Sequence, residues 1–411
     1  MGERAPEPRR ARVLPLLPHG IAAARDAGPV ELPAPGAPLG VYVHVPFCAA
    51  ICNYCNFNRG LFDADLKARF VDAVCREIRS SSPPQLPADS IFFGGGTPSL
   101  LAPADVERIL SACRDTFALA ADTEVTMEAN PEGVTLELLG AFRTCGVNRI
   151  SFGVQSFRDD ELRRLTRLHS AGRAREAVAD ARRAGFDNLS LDLMMWLPGQ
   201  TVPQWLESVD ALIEVGPDHA SLYMLEVYPN APLRDLMARA ALSVAPDDDV
   251  AEMYLRAMER LEDAGFEQYE ISNVARPGRR SRHNLKYWQD GEWIGVGPGA
   301  HSTRAGVRTK NESGVTTYLN MVETGIPVTV ERREMDPATR LEEALFTGLR
   351  LSDGVVVADI ARRYGVDPWS RFGAELQPFV DGGWLRYDGV AFRLTRPGML
   401  VAHDIMAVFV A

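Results

Sequence analysis

The chain has 411 residues, 46% of them hydrophobic, and a formal net charge of −11, so it is long enough for a large domain with a smaller one beside it. The acidic charge argues against a nucleic-acid partner, because contacts to phosphates require clustered Lys and Arg. No apolar run reaches the roughly 20 residues that a membrane-spanning helix needs, so we predict no transmembrane segment.

Residues 1–37 are rich in Pro, Ala and Arg and predict a disordered N-terminal arm. Within this arm, residues 9–17 combine arginines with a short apolar run and superficially resemble a signal peptide. Pro15 and Pro18 interrupt the run, so we interpret this segment as no signal.

Short β-rich runs alternate with longer amphipathic segments from about residue 40 to residue 300. The predicted strands are 41–45, 90–93, 124–128, 149–152, 189–193 and 220–224. The predicted helices lie near 63–80, 103–117, 135–144, 171–184, 203–214 and 247–264. This alternation predicts a parallel sheet with helical crossovers, in either a doubly wound sheet or a (β/α) barrel.

Polar or glycine-rich residues follow five successive predicted strands. They are residues 48–55, residues 94–98, Glu128 with Asn130, Gln155, and Asp192. In a (β/α) barrel, the C-terminal ends of the strands carry the functional residues. This placement favours an α/β fold of the barrel type over the doubly wound sheet.

The alternation ends near residues 325–335, and we place a domain boundary there, with one domain over 38–325 and a second over 326–411. The second is predicted to have helices at 339–350, 357–364 and 368–379, then a hairpin that turns at Asp388 and Gly389, and a final helix at about 397–410. Three helices with a hairpin are winged-helix-like. The segment is not notably basic, so we interpret it as a mostly helical packing or substrate-covering domain.

Three of the six cysteines, Cys48, Cys52 and Cys55, form a C-x3-C-x2-C pattern. Thiolates at this spacing can hold three corners of a [4Fe–4S] cubane and leave the fourth iron open to a ligand. A zinc site usually has a second pair of cysteines, which this chain lacks. From the spacing alone, a zinc site and core cysteines remain alternatives.

The other three cysteines, Cys75, Cys113 and Cys145, lie in segments with helical periodicity and predict buried free thiols. A disulfide framework is typical of a small secreted chain, which this is not. The cysteines therefore predict a cytoplasmic, reducing compartment.

The cysteine motif and the segments after it resemble the radical S-adenosylmethionine (SAM) superfamily, specifically the branch that contains oxygen-independent coproporphyrinogen III oxidase and the HemW haem chaperones. The matching segments are VYVHVPFCAAICNYCNF (41–57), FFGGGTPS (92–99), EANP (128–131), FGVQSF (152–157), LDLM (191–194), LPGQ (197–200), YEISN (269–273) and HNLKYW (283–288). The resemblance covers nearly all of residues 40–411. It implies a partial TIM-like barrel, a HemN-like C-terminal domain and a cluster on Cys48, Cys52 and Cys55.

The resemblance also implies that SAM chelates the open iron. The residues that it assigns to SAM are Tyr42, Gly94, Gly95, Gly96, Thr97, Glu128, Gln155, Arg167 and Asp192. The glycines would let the backbone approach SAM closely. Arg167 would pair with the SAM carboxylate, and Asp192 or Glu128 would accept hydrogen bonds from the ribose. For each charged residue, the alternative is a solvated helix face or an ion pair within the barrel.

The chain departs from the oxidase at two places. The oxidase has a fourth cysteine where this chain has Phe57, and its contacts to a second SAM are not reproduced at Leu285, Lys286 and His301. The difference at Phe57 matches the HemW proteins, and the missing contacts put both a second SAM and the oxidase reaction in doubt.

Residues 283–288 fit the HNxxYW signature that is characteristic of HemW proteins, which implies that His283 contacts haem. The alternative is a histidine that is hydrogen-bonded in a loop beside the barrel mouth. Trp196 stands where family members usually have Gly. Its indole would either narrow the SAM pocket or fill a gap behind it.

Three functions from different classes follow. The first is a HemW-type haem chaperone that binds the cluster, SAM and haem for transfer to membrane respiratory haem proteins. The second is a radical SAM enzyme, either a coproporphyrinogen III oxidase of porphyrin biosynthesis or a methyltransferase. The third is a structural metal module. Phe57 and the HNxxYW segment favour the first, without coproporphyrinogen oxidase activity.

Overall fold

The computed structural model describes residues 37–81, 85–229 and 231–410, so the predicted N-terminal arm lies outside the described residues except for its last position. All six predicted strands are found within longer strands. The first elements are β1 (Leu39–Val45), β2 (Phe47–Cys48), β3 (Gly60–Leu61), α1 (Ala64–Ser80), β4 (Leu86–Gly95), α2 (Pro103–Thr116), β5 (Phe117–Ala129), α3 (Leu136–Cys145), β6 (Arg149–Gln155), α4 (Asp159–Arg164), α5 (Ala171–Arg183), β7 (Leu189–Met195), α6 (Val202–Val215) and β8 (His219–Met224).

A second group of elements extends this framework. It consists of α7 (Pro232–Arg239), α8 (Asp247–Asp263), β9 (Glu267–Gln268), β10 (Asn273–Ala275), α9 (Arg282–Trp288), β11 (Trp293–Val296), β12 (His301–Arg304), β13 (Val307–Asn311), α10 (Val315–Thr324) and β14 (Thr329–Glu334). Helix α9 contains the HNxxYW segment and packs on β4 and β1.

The main sheet has twelve strands in the order β14-β13-β12-β11-β1-β4-β5-β6-β7-β8-β10-β9. Strands β11, β1, β4, β5, β6, β7 and β8 are parallel to one another. The remaining strands pair antiparallel and flank this parallel part on both sides. Because β9 and β14 each have one neighbour in the described sheet, the barrel is open, as expected for a partial TIM-like barrel.

The parallel strands have one apolar and one polar face. In β1, Val41, Val43 and Val45 are fully buried in the main core, and the residues between them face the interior, because side chains alternate along a strand. The strand register carries the interior face across the sheet. Its buried polar members include Ser90, Thr126, Arg149, Ser151, Ser190, His219 and Ser221. A TIM barrel usually fills this space with branched apolar side chains, so a polar interior suits a polar ligand.

The C-terminal part is mostly helical. Its elements are α11 (Pro337–Gly348), β15 (Val355–Val356), α12 (Val357–Tyr364), α13 (Pro368–Asp381), β16 (Leu385–Tyr387), β17 (Ala391–Leu394), α14 (Arg396–Met399), α15 (Ala402–Met406) and a 3-10 helix (Ala407–Phe409). The prediction of one final helix over 397–410 is wrong, because the helix is interrupted at Leu400 and Val401, where Val401 leaves the helical conformation, and the segment divides into α14, α15 and the 3-10 helix.

The predicted boundary between residues 325 and 326 remains a prediction. Strand β14 lies beyond that boundary, yet it pairs with β13 of the main sheet. None of the described helices is long and apolar enough to cross a membrane.

Candidate functional site

The three clustered cysteines lie in a loop just beyond the C-terminal end of β1. The Cys55 amide donates to the Cys52 carbonyl oxygen at 3.2 Å, and the Phe62 amide donates to the Cys48 carbonyl oxygen at 2.9 Å. These three cysteines are partly exposed, and none forms a disulfide. Their thiols are therefore available to a ligand at the edge of the barrel where the parallel strands end. Residues 48–55 are called the cysteine loop below.

Side chains from two distant parts of the chain hold the cysteine loop and the turn after it. The Asn53 amide donates to Thr166 Oγ1 at 3.0 Å. Asn58 Nδ2 donates to the Pro298 carbonyl oxygen at 3.0 Å. His44 Nε2 lies 2.7 Å from the Asn58 carbonyl oxygen, which can only accept, so this nitrogen carries the proton. The loop is therefore anchored independently of any cofactor.

The glycines after β4 approach this loop through their backbone. The Thr97 amide donates to the Phe47 carbonyl oxygen at 2.7 Å. A Cβ on Gly96 would lie 2.5 Å from that same oxygen, so no side chain fits there. Gly95 has a φ of +110°, and its amide donates to Glu128 Oε2 at 3.1 Å. The backbone after β4 therefore makes the close approach that the glycines predict. It approaches the backbone of Phe47, which leads into the cysteine loop.

Gly94 and Tyr42 form the inner wall below these glycines. A Cβ on Gly94 would lie 2.9 Å from ring atoms of both Tyr42 and Phe92, and 3.2 Å from Glu128 Oε2. The Tyr42 hydroxyl lies 3.1 Å from His44 Nδ1, and it donates there because His44 carries its proton on Nε2. Burial raises the pKa of Tyr42 well above its usual range.

Glu128 and Asp192 place two carboxyl groups in the interior at the ends of β5 and β7. Burial, and then the charge of Asp192, raise the pKa of Glu128 to about 8, against the stabilising hydrogen bond from the Gly95 amide. Burial also raises the pKa of Asp192 to about 6, while hydrogen bonds from Ser221 and Ser151 oppose the shift. At neutral pH a protonated Glu128 can donate a hydrogen bond, whereas an ionised Asp192 can only accept.

Arg167 connects the end of β6 to the cysteine loop. Its Nη1 lies 3.4 Å from Cys52 Sγ, and its Nη2 donates to Asn130 Oδ1 at 2.6 Å and to the Gly153 carbonyl oxygen at 2.7 Å. Arg167 Nε and Gln155 Oε1 are buried and have no hydrogen-bond partner in the described residues. Buried polar atoms are nearly always paired, so these two atoms suit a polar ligand at this end of the barrel.

Sequence reasoning missed His169, which supports the segment that carries Arg167. Its Nδ1 lies 3.1 Å from Glu132 Oε2, and its Nε2 donates to the Val154 carbonyl oxygen at 3.0 Å. These contacts fix the segment against β6. The one sequence feature that could have indicated a role for His169 is its position two residues after Arg167.

His283 lies in the interior below the predicted SAM wall, with its ring centroid 6.3 Å from that of Tyr42 and 5.2 Å from that of Phe92. Its Nδ1 lies 3.0 Å from Ser90 Oγ, and its Nε2 lies 2.9 Å from the Tyr287 hydroxyl. Ser90 precedes Gly94 by four residues on β4, which corresponds to about 13 Å along the strand. Burial lowers the pKa of His283 to about 3. The haem contact at His283 remains a prediction, and both ring nitrogens already have partners, Ser90 and Tyr287.

Trp196 has a φ of +65°, in the left-handed region that favours glycine. This backbone conformation gives a physical reason for glycine at this position in the family. The indole Nε1 donates to the Ala245 carbonyl oxygen at 2.8 Å, and the ring packs against the main core. Trp196 therefore has a packing role against the core.

In the described part of the chain, no three His, Cys, Asp or Glu side chains are placed to share one metal ion. A cubane binds each thiolate through a different iron atom and does not require one shared point. The three thiols, the unpartnered polar atoms and the glycine-lined wall together fit a cluster with a polar ligand beside it.

Comparisons with known proteins give the family. The model of the radical SAM superfamily matches residues 42–212, and the model of the HemN C-terminal domain matches residues 335–401. The heme chaperone HemW of Bacillus subtilis (strain 168) is 34% identical over 374 residues, which cover 90% of this chain and 98% of that protein. The chain belongs to the HemW heme chaperone family. HemW of Mycobacterium tuberculosis (strain ATCC 25618 / H37Rv) is 38% identical over 393 residues, covering 92% and 97% of the two chains.

Two further comparisons extend beyond the bacterial HemW proteins. The mitochondrial radical S-adenosyl methionine domain-containing protein 1 of Bos taurus is 38% identical over 401 residues, covering 93% of this chain and 90% of that protein. The solved structure of coproporphyrinogen III oxidase (HemN) from Escherichia coli has a TM-score of 0.80 at 22% identity and covers 90% of each chain. This likeness confirms the predicted fold class. Membership of the radical SAM superfamily implies a [4Fe–4S] cluster and SAM as cofactors.

Proposed function

We propose that this protein is a cytoplasmic haem chaperone that binds a [4Fe–4S] cluster and SAM and carries haem to membrane respiratory haem proteins. The observation that carries the proposal is the similarity to heme chaperone HemW proteins along 90% or more of the chain. All six cysteines are free of disulfides, which supports a reducing compartment.

The site residues fit the two cofactors that the family implies. Cys48, Cys52 and Cys55 would hold three irons of the cluster. Arg167 would pair with the SAM carboxylate, as its guanidinium already lies beside the Cys52 thiol. When bound, the cluster and SAM supply a reductively generated 5′-deoxyadenosyl radical.

The surrounding residues would orient SAM. Asp192 would accept a hydrogen bond from the ribose, Glu128 would hold the glycine backbone through the Gly95 amide, and Gln155 would use its unpartnered oxygen. Tyr42 and Thr97 support this wall, since Tyr42 lies against Gly94 and Thr97 against Phe47.

The surface of the cysteine loop supports transfer to a partner rather than chemistry on a porphyrinogen. Phe57 stands where the oxidase-like proteins have a fourth cysteine, and 64% of it is exposed. Ile51 in the loop and Leu168, which follows Arg167, are also exposed. Exposed apolar side chains around a functional site are typical of a surface that meets another protein.

A second function stays open because the interior keeps the SAM wall and the fold matches coproporphyrinogen III oxidase at a TM-score of 0.80. In that case the radical would act on a porphyrinogen. The adenosyl radical must lie within contact of its target carbon, so loss of positioning groups would abolish this reaction.

The test uses anaerobically reconstituted full-length protein in two assays. Titration with haem is expected to give a Soret band, and incubation of the loaded protein with respiratory membranes is expected to move that haem to membrane proteins. Incubation with coproporphyrinogen III, SAM and reductant is expected to give no protoporphyrinogen. Protoporphyrinogen formation would overturn the chaperone assignment in favour of the oxidase.

A further inference from the structure

Histidine ligation of an added haem requires an accessible ring nitrogen with a free lone pair. Six histidines lie in the described residues. Four of them are buried with both ring nitrogens at hydrogen-bond distance from partners: His44, His169, His219 and His283. The two exposed histidines are His301 and His403.

His301 lies close to the anchor of the cysteine loop. It begins β12, and its backbone lies against Gly295 of β11, which is in register with Tyr42 of β1. A Cβ on Gly299, two residues before His301, would lie 2.6 Å from Asn58 Nδ2, so the chain enters β12 directly beside Asn58. His44 in turn holds Asn58, three residues beyond Cys55. His403 belongs to the C-terminal part.

The strand register gives His301 a set of neighbours on one face of the sheet, because directly opposite residues share a face. His301 lies opposite Lys310, and Arg308 lies opposite Arg333. Trp293 and Arg308 both lie opposite the same β12 residue, two positions after His301. We call these five residues the His301 face.

The chemistry of the His301 face matches an iron porphyrin with two carboxylates. The imidazole can ligate iron, the Trp293 indole offers a flat apolar surface, and the three cations suit propionates. Lys310 pairs with Glu331 at 3.0 Å and Arg308 with Glu343 at 2.7 Å, and all four side chains are partly exposed. Exposed ion pairs contribute little to stability, so a propionate can replace these carboxylates.

A chain of contacts links the HNxxYW segment to His301. His283 Nε2 lies 2.9 Å from the Tyr287 hydroxyl. The ring of Tyr287 meets the ring of Trp293 edge-on, with centroids 4.7 Å apart. Trp293 Nε1 donates to the His301 carbonyl oxygen at 3.0 Å. Loss of His283 would therefore disturb His301 even if His283 never touched haem.

We propose that His301 is the iron ligand for haem, on the His301 face, and that His283, Tyr287 and Trp293 are positioning residues. This inference rests on the proposed chaperone function, because it names the binding site for the haem that the protein would carry. It differs from a direct haem contact at His283 in a way that spectroscopy can measure.

The experiment titrates reconstituted full-length wild type and variants with haem and records affinity together with the resonance Raman signature of the axial ligand. His301→Ala is expected to lose the histidine signature and to weaken binding at least tenfold, and added imidazole is expected to restore the signature. His283→Asn and Trp293→Phe are expected to weaken binding and to keep histidine ligation. His403→Ala replaces the other exposed histidine as a control, and its haem affinity and ligand signature are expected to equal those of wild type. Cluster iron content confirms that each variant is folded.

Three results would overturn parts of this scheme separately. A wild-type protein that binds no haem would contradict the proposed chaperone function. Haem binding in wild type with an unchanged ligand signature in His301→Ala would rule out His301 as the iron ligand and leave the chaperone function standing. Loss of histidine ligation only in His283→Asn would assign the iron to His283 instead.

Discussion

The Arg167 guanidinium joins the two halves of the candidate site, because Nη1 lies 3.4 Å from Cys52 Sγ while Nη2 binds the Gly153 carbonyl oxygen at the end of β6. The Arg167 and Gln155 side chains both lie against Gly153, so a cation at this point lies beside the cysteine loop and the end of β6. Its position is set by tertiary contacts on both sides. This relationship leads to the first prediction.

Arg167→Ala is expected to weaken SAM binding tenfold or more. A hydrogen bond to a charged group contributes about 1.5–3 kcal/mol, and about 1.4 kcal/mol corresponds to tenfold in affinity. The measurement is the SAM-induced change in the EPR signal of the reduced cluster, with iron content unchanged. Arg163→Ala, which alters an exposed arginine nearby, is the control. An undiminished SAM response in Arg167→Ala would contradict the assigned role.

Cys52→Ala is expected to lose the visible absorbance and the iron and sulfide of the cluster after anaerobic reconstitution. Cys145→Ala is the control, since its thiol lies on α3 and is 3.3 Å from the Pro103 carbonyl oxygen, far from the motif in the fold. The iron content of the two reconstituted variants is the measurement. Loss of the cluster in Cys145→Ala would contradict the assignment of the three cluster ligands.

Gly96→Ala is expected to destabilise the protein by about 1–3 kcal/mol, the usual cost of forcing atoms into a filled space. The new Cβ would lie 2.5 Å from the Phe47 carbonyl oxygen, and backbone cannot move aside as a side chain can. Thermal unfolding is the measurement. Gly140→Ala in α3, where no atom lies within 4 Å, is expected to be stabilising by about 0.5–1 kcal/mol. Equal effects of the two substitutions would show that the close approach is unimportant.

The cofactor-free protein is expected to lose stability as pH rises from about 5 to 8.5, partly through Glu128. Its folded-state pKa is raised to about 8 from an ordinary value of 4.5, so folding favours the protonated form. This contribution is full below the ordinary pKa and is lost as pH rises through the folded pKa. Glu128→Gln is expected to flatten the pH dependence of the unfolding temperature. Glu259→Gln, which alters an exposed residue of α8, is expected to leave it unchanged, and an identical slope in both variants would refute the assignment.

Arg350→Ala is expected to destabilise the contact between the barrel and the C-terminal part. Arg350 Nη2 lies 2.9 Å from Glu270 Oε2, Glu270 is fully buried, and the guanidinium lies 4.3 Å from the Trp288 ring centroid. Removing one partner of a buried pair costs about 3–5 kcal/mol, and we expect the lower end because Arg350 is 27% exposed. The double variant Glu270→Gln/Arg350→Ala is expected to be more stable than Arg350→Ala in chemical denaturation. A double variant that is less stable would show that the uncompensated charge is not the cause.

The sequence by itself determined the local and repetitive parts of this protein. Alternating runs of β-branched and amphipathic residues predicted the parallel strands and their crossover helices, since hydrophobic periodicity reflects local geometry. The spacing of Cys48, Cys52 and Cys55 indicated three metal-binding thiolates, because ligands that share one loop must be near in the sequence. The order of the motifs gave the family.

Only the tertiary structure decided which of these residues meet. The HNxxYW segment is expected to share one functional site with the cysteines, yet α9 packs so that both ring nitrogens of the buried His283 are bound to Ser90 and Tyr287. His301 carries no motif of its own, and its backbone lies against Gly295, in register with Tyr42, because β11 pairs with β1 across a long sequence separation. Contacts between segments that are distant in the chain produce no periodic pattern in the sequence, so pattern analysis cannot predict them.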